Sequence, residues 1–319
     1  MSAINGDRNF SRGRYKMRKV LLATTALVAM GGVSAASADI SISGAAQYNY
    51  TTTSGTGGTS AEDRTMATNV DADITMSSTL DNGMTLSGLV SLNTNAVNDS
   101  GWSLSGDFGK VAFGGTANDG FGATNTGLTA DEGNNLSTEY WSTHNDAIPH
   151  SDISITLPAI SGFTIGLGFA DGATTAADSS QWGVTYAMDA GSMGVTVAYA
   201  SASDGSNADQ SSAGVTVTAG DAKVVVATNK KTASSVTHTA TSVGASYAVS
   251  DSLSVQAYTG TTERSNTAAY EVKDTGMGLT YTITPGLSLS ITSNDFSGKG
   301  GTAGAESGTR TNIALDATF

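Results

Sequence analysis

The sequence predicts an all-β chain: a 16-stranded antiparallel transmembrane β-barrel. Three observations carry that expectation. Apolar residues occupy every second position of many segments, short Asp/Asn/Gly turns recur between those segments, and the N-terminal stretch is built like a secretory leader. The last segment, NIALDATF, shows the pattern plainly, with Ile313, Leu315, Ala317 and Phe319 on one parity and Asn312, Ala314, Asp316 and Thr318 on the other. A period of two is that of a strand with one apolar and one polar face.

In the leader, MRKVLLATTALVAMGGVSAASADI, Arg18 and Lys19 precede an apolar run, and Ala36-Ser37-Ala38 fits the small-residue cleavage rule. Thr24, Thr25 and a glycine pair break the run, which falls short of the about 20 apolar residues a spanning helix needs. Residues 1–38 are read as a signal peptide with an N-terminal extension, Met17 being an alternative start. Residues 39–319 are then one barrel domain. The chain has no cysteine, so it leaves the cytoplasm without disulfides. The net charge is −13, and only one of the 28 acidic residues precedes Asp39 against six of the 15 basic ones, so cleavage makes the product still more acidic. That balance excludes nucleic acid and anionic lipid surfaces as electrostatic partners.

The elements follow in order. The first segment sets Ile40, Ile42, Ala46, Tyr48 and Tyr50 against Ser41, Ser43, Gln47 and Asn49. After LDNGM (80–84) come Met84, Leu86, Val90 and Leu92; after GDFGK (106–110) and PAISG (158–162) come Phe163, Ile165, Leu167 and Phe169. Trp182, Val184, Tyr186 and Met188 lead into MDAGS (188–192), followed by Met193, Val195, Val197 and Tyr199. AGD (219–221), VSDS (249–252) and TPG (284–286) separate segments carrying Val243–Val249, Met277–Ile283 and Leu287–Ile291 at the same spacing. Asp, Asn and Gly supply the positive φ of tight hairpin turns. Seven turns join fourteen strands, and the segments beginning near Asp39 and Arg310 bring the number to sixteen. No charged residue lies on the apolar parity of these spans.

Half-apolar strands can pack as a sandwich or face lipid as a closed barrel. A close-packed core calls for large interlocking side chains. Here Ala, Gly and Thr share the apolar parity with Val and Leu, a relief that lipid accepts. Tyr48, Tyr50, Trp102, Trp182, Tyr199, Tyr258, Phe296 and Phe319 are expected to form aromatic girdles at the membrane interfaces.

The leader, DISISGAAQYNY, the segment LSGDFGKVAFGG (104–115) and the strand ending in Phe319 together resemble the alphaproteobacterial general porins of the Gram-negative outer membrane. The resemblance implies a barrel with short periplasmic turns and longer extracellular loops, in the outer membrane and assembled as a homotrimer. It also implies that Phe319 is the insertion signal read by the barrel insertion machinery, and that the third long loop folds inward. The function it implies is general diffusion of small polar solutes and ions. A substrate-selective channel and a surface adhesin or structural β protein are the alternatives.

With odd positions of the last strand facing lipid, Arg310, Asn312 and Asp316 face the lumen, and the same count places Asp71, Asp73, Lys110, Asp152, Lys223, Gln256 and Arg264 there. The segment Gly115 to Tyr140 stands where the third loop belongs and carries Asp119, Asp131, Glu132 and Glu139 without a base. Those four are the expected constriction, and they set a mild cation preference because a negative lumen concentrates cations. It lacks the proline-containing tip of enterobacterial porins. Asp119, Asp131 and Glu132 could ligate calcium, as in some of those porins, but no Ca2+-loop frame exists, so no metal and no cofactor are expected. Cleavage would free an α-amino group at Asp39, expected near the Phe319 carboxylate if the end strands pair. Catalysis is not expected: His144, His150 and His238 fall in loop-like stretches, and Ser142 beside His144 lacks an acid partner or oxyanion hole.

Overall fold

The computed structural model describes residues 39–56, 63–93, 96–114, 152–171, 178–203, 208–233, 235–265, 271–300 and 304–319. The leader, the acidic segment with Asp119, Asp131, Glu132 and Glu139, and Ser142, His144 and His150 lie outside the described residues. The described strands are β1 (Asp39–Thr56), β2 (Asp63–Thr79), β3 (Thr85–Asn93), β4 (Ala96–Gly106), β5 (Gly109–Gly114), β6 (Ile153–Thr156), β7 (Phe163–Ala170) and β8 (Ser179–Ala190). They continue as β9 (Met193–Ser203), β10 (Ala208–Ala219), β11 (Ala222–Ala233), β12 (Val236–Ser250), β13 (Leu253–Arg264), β14 (Glu271–Thr284), β15 (Leu287–Gly300) and β16 (Gly304–Thr318). Each pairs antiparallel with its neighbours in sequence, and β1 pairs with β16, closing the barrel. The expected all-β, sixteen-stranded antiparallel architecture is thus what the chain adopts.

All seven short turns fall at the positions the Asp/Asn/Gly signals mark. At the first, Gly83 donates its amide to Leu80 O at 2.9 Å and Asn82 Oδ1 accepts from the Met84 amide at 3.1 Å. Two turn glycines differ in what surrounds them. Gly220 has φ +56 with open space where a Cβ would stand, whereas Gly109 has φ +103 and its Cβ would collide with the Thr156 carbonyl.

Pairing sorts every strand into two faces. Outward rows such as Tyr186, Val197, Val215 and Val226 run unbroken across β8 to β11. The outward face exposes large apolar side chains, Ile42 at 65%, Met66 at 72% and Met277 at 70%, as lipid contact requires. The inward face of the same strands buries small residues, among them Ala198, Ala200, Ala227, Ala240 and Ala314.

Among the described side chains, charges appear on the outward parity only at the long-loop ends of strands: Arg64, Asp209, Lys230, Glu263, Glu271, Lys273 and Asp295. At about the same level, outward hydroxyls pair across strands, Thr232 with Thr237 at 2.9 Å and Thr259 with Thr275 at 2.9 Å, and the Thr309 hydroxyl donates to Asp295 Oδ1 at 2.6 Å. The wall therefore rises out of the apolar layer on that side, and its outward face changes from aliphatic to hydroxylated to charged.

Two aromatics depart from the girdle expectation. Tyr258 pairs with Gly276 and Phe296 with Gly308 on the inward parity, and both are buried, whereas Trp102, Trp182, Tyr199, Tyr48 and Phe319 stand outward and exposed. The expected meeting of the chain termini is also corrected. Phe319 bonds Gly44, N to O at 3.0 Å with the return bond at 2.6 Å, so Asp39 lies five residues along β1 from it. At about 3.3 Å per residue an ion pair between the two ends is out of reach.

Gly220→Ala should lower the stability of the folded barrel by about 1 kcal/mol through φ alone, and Gly109→Ala by about 3 kcal/mol because a backbone oxygen must also move. Urea unfolding in lipid vesicles measures both; equal losses would remove the steric account of Gly109.

Candidate functional site

The inward face is where soluble chemistry can meet this chain, because the outward face between the turns and the hydroxyl belt is apolar. Its polar groups fall into three sectors, each built by neighbouring strands.

The first sector is the seam of β16, β1 and β2. Gln47 Nε2 donates to Asp316 Oδ1 at 2.8 Å and Asn49 Nδ2 to Gln47 Oε1 at 2.6 Å. Thr51 Oγ1 donates to Asn312 Oδ1 at 2.9 Å, and Asn69 Nδ2 to Asp71 Oδ2 at 2.7 Å. Asp71 pairs with Ala45 and Asp73 with Ser43, which puts both carboxylates on the same face as this amide ladder. Alternate residues of adjacent strands stand close enough for such side chains to bond directly.

The second sector is basic. Lys231 pairs with His238 and His238 with Arg264, one inward row across β11, β12 and β13 near their long-loop ends. His238 is thus a strand residue, correcting its assignment to a loop. Going round the barrel, β11 is separated from β2 by seven strand steps one way and nine the other, so the basic row faces the carboxylates of the first sector across the interior.

The third sector joins them. Tyr258 Oη donates to Asp274 Oδ2 at 3.0 Å and Asn294 Nδ2 to Asp274 Oδ1 at 3.0 Å, with all three side chains buried. The Tyr258 ring lies over Gly276, where a Cβ would strike it, so glycine here is what lets the phenol reach the carboxylate. Phe296 lies over Gly308 in the same way. On the neighbouring row Arg310 Nε donates to Thr53 Oγ1 at 3.2 Å.

The residues singled out from sequence occupy several levels of this face. Lys110 and Lys223 follow directly on short turns, and Asp316 sits low on β16 against Gln47 and Ser288. Asp71, Asp73 and Arg310 stand higher, and Arg264 ends β13. Asp152 caps the long-loop side, its Oδ2 accepting the Asp171 amide at 2.8 Å. Parity alone did not single out Lys231, His238, Tyr258, Asp274 or Asn294. The signal was present for Tyr258, an aromatic on the parity of Gln256 and Arg264 with glycines opposite on both sides, Gly244 and Gly276.

Removing the phenol by Tyr258→Phe leaves a buried carboxylate oxygen short of a donor and should cost about 1–2 kcal/mol in unfolding free energy. Tyr281→Phe on the outward face should change it by less than about 0.5 kcal/mol. Equal effects of the two would mean that the Asp274 network contributes no stability.

Comparison with known proteins bears on this arrangement. A family model described as Gram-negative porin matches residues 23–301. No curated protein matches the chain. Among solved structures, the anion-selective porin from Comamonas acidovorans is similar with a TM-score of 0.62 at 16% identity, over 88% of this chain and 100% of that one. OmpT, an outer membrane protein of Vibrio cholerae, is similar in its trimer form with a TM-score of 0.63 at 15% identity, over 88% of this chain and 99% of that one. A mutant of the Rh. blastica porin matches with a TM-score of 0.59 at 16% identity, over 88% and 100%. At such identities the likeness is one of fold.

Proposed function

The chain belongs to the Gram-negative porin family, channel proteins of the outer membrane, and from that premise we propose a general diffusion channel for small hydrophilic solutes and ions with a mild preference for cations. The observation that carries the proposal is the division of the wall: an apolar outward face, and an inward face on which carboxylates of β2 stand across from the bases of β11–β13. A closed barrel of sixteen strands leaves room for water along its axis. Charges set across a watery constriction orient polar solutes and disfavour apolar ones, with no bond made or broken. Catalysis has no part in this reading.

Of the described basic side chains, Lys110, Lys223, Lys231, Arg264 and Arg310 face inward, while Arg64, Lys230 and Lys273 face outward. A substantial positive wall argues against a strong cation preference arising from the strands. We assign the preference to Asp119, Asp131, Glu132 and Glu139, the carboxylates of the third long loop. Asp71, Asp73, Asp152 and Asp316 add to it from the wall, and Lys110, Lys223, Arg264 and Arg310 oppose it. In this reading the short turns face the periplasm and the hydroxylated rim faces outward, Phe319 is recognised by the insertion machinery, and three copies assemble. The trimer form of the structurally similar Vibrio cholerae protein supports the last point.

A salt gradient across a planar bilayer should give a reversal potential of the sign for cation preference. Replacing the four loop carboxylates by amides should carry it to zero or beyond; a reversal potential unchanged by those replacements would sink the assignment. In liposome swelling, rates for uncharged sugars should fall smoothly with solute size, and a sharp preference independent of size would favour a substrate-selective channel instead.

A further inference from the structure

On the inward face the register aligns Gln210 with Lys231, Lys231 with His238 and His238 with Arg264, one row across β10 to β13 near their long-loop ends. The next row toward the short turns holds Ser212, Asn229 and Ala240, and the one after it Gly214, Ala227, Ser242 and Gly260. Four of these side chains are polar, uncharged and at most 6% exposed: Gln210, Ser212, Asn229 and Ser242. Both amide atoms of Gln210, the hydroxyl oxygens of Ser212 and Ser242, and Asn229 Oδ1 have no hydrogen-bond partner among the described residues. Buried polar atoms normally have partners, because an unmet one keeps its desolvation cost without a bond in return. Here the unmet atoms are grouped on three adjacent strands, and the glycines and alanines set among them carry no side-chain polar atom to offer. With strands about 4.8 Å apart and alternate residues about 6.6 Å apart along each, they occupy a field of about 10 by 13 Å. The basic row borders that field on its long-loop side.

We propose that this field is a subsite for a hydroxylated carboxylate, a sugar acid of about hexose size, retained on its way through the barrel. The subsite presupposes that solutes travel through the interior, as the channel reading has it. Arg264 and Lys231 meet the carboxylate, the guanidinium through its planar fork and the ammonium as a point charge. Asn229 Oδ1 and Gln210 Oε1 accept from the solute's hydroxyls, while Gln210 Nε2 and the two serine hydroxyls donate to its oxygens. The alanines and glycines between them leave the space that the carbon ring fills. A small anion uses only the basic row and a neutral sugar only the amides and hydroxyls; a sugar acid uses both. Retention is weak, on the order of millimolar, since water meets the same polar atoms in the empty subsite and a channel must let its solute go. A net preference for small cations, set by carboxylates elsewhere, is compatible with one anion held at a basic row.

The test uses the full barrel in a planar bilayer and reads ion current at fixed ionic strength as glucuronate, glucose or acetate is added. Glucuronate should reduce the current saturably, with glucose and acetate at least tenfold weaker. Gln210→Leu and Asn229→Leu should each weaken the glucuronate block about tenfold while leaving the reversal potential in a potassium chloride gradient unchanged, because neither alters a charge. Lys231→Gln should weaken block by glucuronate and by acetate alike. Ser212→Ala, a change too small to endanger folding, should weaken the glucuronate block several-fold and keeps the test open should the leucine variants not fold. Ser246→Ala, inward on β12 but nearer its short turn, should leave the block unchanged. A barrel that conducts but responds equally to glucuronate and acetate would overturn the subsite and leave the channel reading standing, and so would an unaltered block in Gln210→Leu, Asn229→Leu and Ser212→Ala. A barrel that passes no ions would overturn both.

Discussion

The structure depends on backbone hydrogen bonding in a medium that offers no partners. Within hydrocarbon every unpaired N–H or C=O costs several kcal/mol, so a sheet in a membrane must have no edge. The pairing of β1 with β16, finished by the reciprocal bonds of Gly44 and Phe319, removes the edge that fifteen hairpin and loop connections leave open. Everything else follows from closure. With the backbone satisfied, the side chains of one parity need only be apolar, and those of the other are free to be polar. Neither set is asked to form a dense core, which explains how a chain so rich in Gly, Ala, Ser and Thr holds a single shape.

The fold was legible because two signals are local. Alternation decides which face a residue takes, and a one-residue error would invert a whole strand, so each strand with several large apolar residues, such as Met193–Tyr199, states its own orientation. The turns add register through positive-φ glycine. Asp71, Lys110, Lys223, Arg264 and Arg310 share the parity opposite to the apolar residues of their strands, because parity extends along a strand past the residues that establish it. Partnership was not legible: parity sets Tyr258 on the side of Gln256 and Arg264, but it cannot tell that the rings of Tyr258 and Phe296 lie over Gly276 and Gly308. Those two failed the girdle expectation because aromatic residues are favoured in strands on either face. His238 looked like loop material because Thr237, Thr239 and Thr241 around it face outward as hydroxyls rather than as apolar side chains.

The outward surface also explains why charge and alternation coexist in one strand. Lys273 and Glu271, 3.0 Å apart and both well exposed, sit on the parity that is aliphatic lower down in β14. Such an exposed pair contributes little stability. Its significance is positional: it marks where the wall leaves lipid, as the hydroxyl pairs of Thr259 and Thr275 do one step below.

The seam where the barrel meets itself is held by the backbone ladder of β1 and β16, to which Thr51 and Asn312 add a neutral side-chain bond and Asp316 and Arg310 add charged ones. The amides of a ladder neither gain nor lose protons in ordinary waters and are hardly weakened by dissolved salt. Acidity and salinity can therefore alter the electrical character of the interior and touch the joint at Asp316 and Arg310, while the ladder that keeps the tube shut is left alone. Permeability is governed by side chains and mechanical integrity chiefly by main chain, and the surroundings have their grip on the first.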